Sequence, residues 1–262
     1  VPTHFLVETF GWRNTLLGFA VIGFILAIAV FCVLQYKRDK HISAQAQNAP
    51  SILSNLKILV AKKQTWIVAL YACLTWAPMS GFASLWGVPF LMHAQNLTAG
   101  EAALVCSMMW VGVAVASPLS GYIATHFNQT RTCLTIAAAL GAISFIALVF
   151  FHVHSLLLLG FLLFLAGAAC SGQGLSFALA KNNHPKYLSA TAIAFNNMAV
   201  VISGALFQPF IGWIIHLMSN SSETTQYKTA ISVVLAAYVI AFITGSFLIK
   251  LNQASATEEF TI

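Results

Sequence analysis

The side chains able to contact a solute in this chain are neutral. Tyr71, Thr75, Trp76, Ser80 and Trp86 fall within one long apolar run, Gln173 in another, and Asn196, Asn197 and Gln208 in a third. Trp76, Ser80, Ser84 and Gly87 recur at i, i+4, i+8 and i+11, the spacing of one helical face, with Tyr71 and Thr75 on the adjacent strip. Asn197, Val201, Gly204 and Gln208 make a second such face, with Asn196 beside it. Hydroxyl, amide and indole groups orient an organic solute by hydrogen bonds. The same residues have a plainer reading. Serine and glycine let membrane helices approach closely. An amide in an apolar setting needs a partner, which a wet cavity or a neighbouring helix can supply. For Gln208 that partner could be the carbonyl that Pro209 releases. Pro78 and Pro89 interrupt the first run and allow it to kink.

Chemistry that needs charge is missing from the runs. The six acidic residues, Glu8, Asp39, Glu101, Glu223, Glu258 and Glu259, all lie away from run centres, and so do Lys and Arg. An ionisable residue inside a membrane segment is the usual mark of a proton or ion path. Proton coupling would therefore need a carboxylate from upstream sequence. His152 and His154 form a pair with no third or fourth ligand nearby, and His93, His126, His184 and His216 also sit near run ends. The five cysteines show no CxxC or Cys/His spacing and read as packing residues, so neither a metal nor a cofactor is expected. Ser171-Gly172-Gln173-Gly174 is no nucleotide loop, since no strand precedes it. There is no P-loop, HExxH or Ser/His/Asp cluster to drive an ATP pump or a membrane enzyme.

The elements that carry these residues follow from composition. Of 262 residues, 59% are hydrophobic and 7% charged, with mean hydropathy +0.85. A soluble domain carries about 25% charged residues. Apolar runs at 15–35, 66–91, 99–124, 133–151, 156–180, 187–217 and 229–249 are each long enough to cross a membrane as a helix. In lipid every backbone polar group must be bonded internally, which makes such runs helices. Residues 37–64 read as a basic linker, with a polar stretch at 45–51 and an amphipathic surface helix at 52–63. A six-helix bundle at 65–250 and a tail at 251–262 follow. Alternating the runs places Lys37, Arg38, Lys40, Lys57, Lys62, Lys63, Arg131, Lys181, Lys186 and Lys250 on the linker side, against Arg13 and Lys228 on the other. The positive-inside bias then puts linker and C-terminus in the cytoplasm. It also accounts for the net charge of +6 without nucleic acid.

Four landmarks, in order, resemble a known family. Gly11-Trp12-Arg13 falls between two apolar stretches. Leu85-Trp86-Gly87-Val88-Pro89-Phe90-Leu91 closes the second complete run. Pro118-Leu119-Ser120-Gly121-Tyr122 ends the third, with Arg131 ten residues after Gly121. Asn197, Gly204, Gln208, Pro209 and Gly212 mark the sixth. Together they resemble the major facilitator superfamily, from the end of its fifth span to its C-terminus.

The resemblance implies an all-α integral membrane fold, a polytopic helical bundle. Residues 1–36 would be the end of span five and span six, and 65–250 the C-terminal six-helix bundle. It implies a fragment of a twelve-span secondary transporter, moving a small-molecule substrate by alternating access. Its partners would be the lipid bilayer and the N-terminal half of the same polypeptide, and its location the bacterial inner membrane. In the family the seventh span, here 66–91, lines the central cavity. An uncharged lining favours a neutral or zwitterionic solute, carried with protons or by facilitation. A polytopic membrane enzyme or a non-transporting membrane subunit is the alternative. Two departures stand out. Thr125 occupies about the place of the loop motif's acidic residue, which weakens any charge relay there. Thr3 and His4 stand where drug exporters carry paired glycines.

Overall fold

The computed structural model describes residues 2–36 and 52–249, so the stretch 37–51 of the linker and the tail from 250 onward lie outside the described residues. The chain divides into two compact units, 1–50 and 51–262.

In the first unit, helix α1 (Pro2–Tyr36) is broken at Gly11, whose φ of 75° and ψ of 155° lie where only glycine sits without strain. Local side chains cover the carbonyls at the break. The Thr15 hydroxyl reaches the carbonyls of Gly11 (2.9 Å) and Leu6 (3.1 Å), and the Asn14 amide donates to Phe10 (3.0 Å). The Arg13 guanidinium lies 4.9 Å over the Trp12 ring. Gly11, Trp12 and Arg13 thus form a corner between two helical pieces.

The second unit crosses back and forth six times. The first crossing joins α2 (Ile52–Val60), which lies before it, to α3 (Lys63–Ala77), a π-helical stretch (Pro78–Trp86) and α4 (Gly87–Gln95). Then come α5 (Ala99–His126), α6 (Thr130–Phe150), α7 (Leu156–Ala169) continued by α8 (Gly172–Asn182), α9 (Ser189–Leu217) after a short 3₁₀ turn (Lys186–Leu188), and α10 (Glu223–Ile243) with a terminal π turn (Thr244–Leu248). Counting α1, 7 helices among the described residues are long and apolar enough to cross a membrane. Side chains stop the helices sharply at their starts. Thr98 and Glu101 form a reciprocal capping box on α5, and Ser155 and Ser222 cap α7 and α10.

The alternation gives this unit a basic end and an opposite end. Lys57, Lys62, Lys63, Arg131, Lys181 and Lys186 lie at helix termini of the basic end, while Glu101 and Glu223 begin helices at the other. Between the ends the exterior is apolar. Phe150, Leu157, Trp213 and Phe247 are all exposed, as a lipid-facing surface requires.

Helices meet through small residues and carbonyl bonds. Cβ atoms on Gly112 and Gly167 would overlap the backbones of α7 and α5, so these two glycines let the helices cross at van der Waals distance. Tyr238 packs its ring over Gly141 and donates to the Ala166 carbonyl (2.9 Å). Gln95 ties the opposite end together: its amide donates to Leu148 and Phe151 (3.0 Å each) and accepts from the Val153 N–H (3.0 Å).

Candidate functional site

The polar groups of the α3–α4 crossing and of α9 converge on one seam. Pro78 opens the π-helical stretch, where its missing N–H leaves the ladder free to widen. On α9 Pro209 removes another backbone donor. Between these two irregular points the helices are stitched by side chains. Ser203 gives its proton to the Val200 carbonyl (2.6 Å), so Ser80 donates to Ser203 across the seam (2.7 Å). The Gln208 amide donates to the Ser80 carbonyl (2.8 Å), rather than to the one Pro209 releases. The Trp86 indole donates to the Gln208 carbonyl (3.0 Å). Gly204 lies beside Ser80, with room for a Cβ, and Gly212 lies against the Trp86 ring, where a Cβ would crowd the indole.

The other candidate residues divide by enclosure. Tyr71 is fully buried and donates to the Leu134 carbonyl of α6 (2.8 Å). Thr75 is fully buried and donates to the Tyr71 carbonyl (2.8 Å). Asn196, 2% exposed, donates to Ser176 of α8 (2.8 Å). Trp76 and Gln173 are half-buried, whereas Ser84 and Asn197 are open on the surface of this unit. The structure therefore brings Ser80, Trp86 and Gln208 together, leaves Asn197 and Gln173 without a bond to that seam, ties Tyr71 and Asn196 into contacts between helices, and turns Thr75 back onto its own helix.

The loop-motif residues take separate places. Pro118 lies exposed inside α5, and Pro89 in the first turn of α4. Gly121 has open space where a Cβ would stand. It borders a cleft of about 450 Å³ at the basic end, together with Ser117, Ser120, Thr125, Gly174 and Asn182. Thr125 donates back to the Gly121 carbonyl (2.8 Å). Arg131 donates to the Ser246 carbonyl at the end of the α10 crossing. Among the described residues, no cluster of three or more His, Cys, Asp or Glu could hold a metal.

Two features were not singled out from sequence. Ser203 completes the seam; it follows Asn196 at i+7 and Val200 at i+3, so helical periodicity alone places it next to the Asn197 face. At the opposite end His93 Nδ1 pairs with Glu223 (2.7 Å), its ring stacked on Tyr227 at 4.8 Å. Thr224 also donates to the His93 carbonyl (2.9 Å), which closes α4 onto α10.

A sequence model of the Major Facilitator Superfamily matches residues 3–208 and 72–258. The chain belongs to that superfamily. No curated protein matches the sequence significantly. Among solved structures, the fold is similar to a bacterial homolog of the human lysosomal transporter Spinster, crystallised inward-facing and unoccupied, with a TM-score of 0.53 at 16% identity. That likeness covers 80% of this chain and 53% of the other, so the chain spans about half the length of the structure it matches. The fold class expected from sequence is thereby borne out: an all-α, multi-pass membrane protein of this superfamily.

Proposed function

We propose that the chain supplies one bundle of a transporter that moves a small organic solute by alternating access, working with a second bundle of the same protein. The observation that carries this is the uncharged seam joining two proline-interrupted crossings, Ser80–Ser203 and Gln208–Trp86, flanked by the open polar groups Ser84 and Asn197. A wall of hydroxyl, amide and indole groups suits a neutral or zwitterionic solute, because hydrogen bonds alone orient it. An anion would want a fixed cation. Coupling to protons, if the protein uses it, belongs to a carboxylate outside this bundle, since Glu101 and Glu223 both sit at helix starts. The basic end faces the cytoplasm by the charge bias, and the bacterial inner membrane is the setting.

Uptake into proteoliposomes by the intact protein, with a panel of sugars, short peptides and organic anions, tests the reading. Neutral or zwitterionic solutes enter, and Asn197→Leu reduces their uptake at least tenfold while leaving protein yield intact. Uptake confined to anions would overturn the substrate class.

A further inference from the structure

At the basic end, α3, α8 and α9 enclose a small cavity lined by Gln64, Thr65, Asn183, His184, Phe195 and Asn196, among others, with room for about 10 Å³ of water centres. That is the space of a single water. Four of these residues each carry one buried polar atom without a protein partner: Gln64 Nε2, Asn183 Nδ2, His184 Nδ1 and Asn196 Oδ1.

The surrounding bonds fix what those atoms are. Thr65 donates its proton to the Leu59 carbonyl (2.9 Å), so it must accept from His184 Nε2–H (3.1 Å). His184 is therefore the Nε2–H tautomer, and its Nδ1 is a bare acceptor. Ser176 donates to the Gln173 carbonyl (2.6 Å), so it must accept from the Asn196 amide. That leaves the Asn196 carbonyl oxygen free. The unpartnered set is then two N–H donors and two acceptors. A cation would meet the donors and an anion the acceptors. Water, with two lone pairs and two protons, complements all four.

We propose that this cavity binds one water molecule, which ties the basic ends of α3, α8 and α9 together through neutral His184, and that protonating His184 breaks the tie. A proton on Nδ1 turns an acceptor into a third donor, which one water cannot satisfy along with the other two. Among the described residues, nothing at this end compensates the new charge. The charged groups of the surrounding elements at this end are Lys57 of α2, Lys62 in the turn, Lys63 of α3, Lys181 of α8 and Lys186 of the 3₁₀ turn, all exposed and none acidic; the other ionisable groups are Tyr187 of that turn, Tyr71 and Cys73 two turns or more along α3, and His216 at the far end of α9. Burial, with the Lys62 charge second, holds the His184 imidazole below its ordinary value of 6.5. The unfolded chain thus binds a proton that the folded one refuses, so stability is full above about pH 6.5 and declines as pH falls below it.

The test uses the intact protein in lipid nanodiscs with ¹⁵N-labelled histidine. At pH 7.5 His184 gives a protonated Nε2 and a bare Nδ1 in contact with a long-lived water. An Nδ1–H tautomer, an imidazolium, or a dry Nδ1 overturns the proposal. Thermal unfolding from pH 8 to pH 5 gives a second reading. The wild type loses several degrees of midpoint below about pH 6.5, and His184→Gln, which keeps the donor to Thr65 but cannot take a proton, loses that component. Identical pH profiles for the two proteins contradict it.

Discussion

At the residue scale, many hydroxyl side chains of this bundle bond back to their own helix, and a smaller set joins one helix to another. Tyr71, Tyr238 and Gln208 each donate to a main-chain carbonyl on a different crossing, at 2.8, 2.9 and 2.8 Å. Removing such a donor leaves a carbonyl unmatched in an apolar interior, at a cost of about 1 kcal/mol. Tyr71→Phe is expected to lower thermal stability by that amount, measured by unfolding in detergent, with uptake falling no more than stability does. Gln208→Leu is expected to cost a similar amount and to reduce uptake further, because it also unties the two kinked crossings at their seam. The sequence made these polar residues easy to find, since any hydroxyl or amide in an apolar run stands out. It did not reveal which of them meet a helix and which meet water. Periodicity assigns a residue to a face, but Tyr71 and Asn197 look alike by that measure. One is sealed against α6 and the other is open.

At the element scale, bending and close approach are separated along the chain. Pro78 and Pro209 weaken the backbone ladder on either side of the Ser80–Ser203 bond. Gly112 and Gly167 instead lock α5 onto α7. Pro78→Ala is expected to stabilise the bundle, by restoring a backbone donor, and to slow transport turnover several-fold. An unchanged turnover would separate the π-helical stretch from the transport cycle. Gly112→Val drives a side chain into the Phe164 carbonyl and is expected to abolish folded protein, seen as loss of the monodisperse peak on gel filtration. The runs themselves were legible to within a few residues, because length and apolarity are set by the bilayer. The π-helical stretch was not. Prolines at 78 and 89 announce an interruption, but the choice of a widened turn over a simple kink depends on neighbours: Gly81 against Phe207, and Ser84 donating to the Met79 carbonyl (2.8 Å).

At the scale of the whole molecule, the described part of the second unit is a bundle with an apolar exterior, a basic end and the open neutral polar groups Ser84 and Asn197. Superfamily membership agrees with a membrane bundle that serves solute transport. The central claim is that the face carrying Ser84 and Asn197 borders an aqueous path rather than lipid. Single cysteines placed there, Asn197→Cys and separately Ser84→Cys, in an otherwise cysteine-free intact protein, report on it through membrane-impermeant thiol reagents. Labelling from both sides of the membrane, slowed by the transported solute, is the predicted result. Labelling only by lipid-soluble reagents, at both positions, would contradict it.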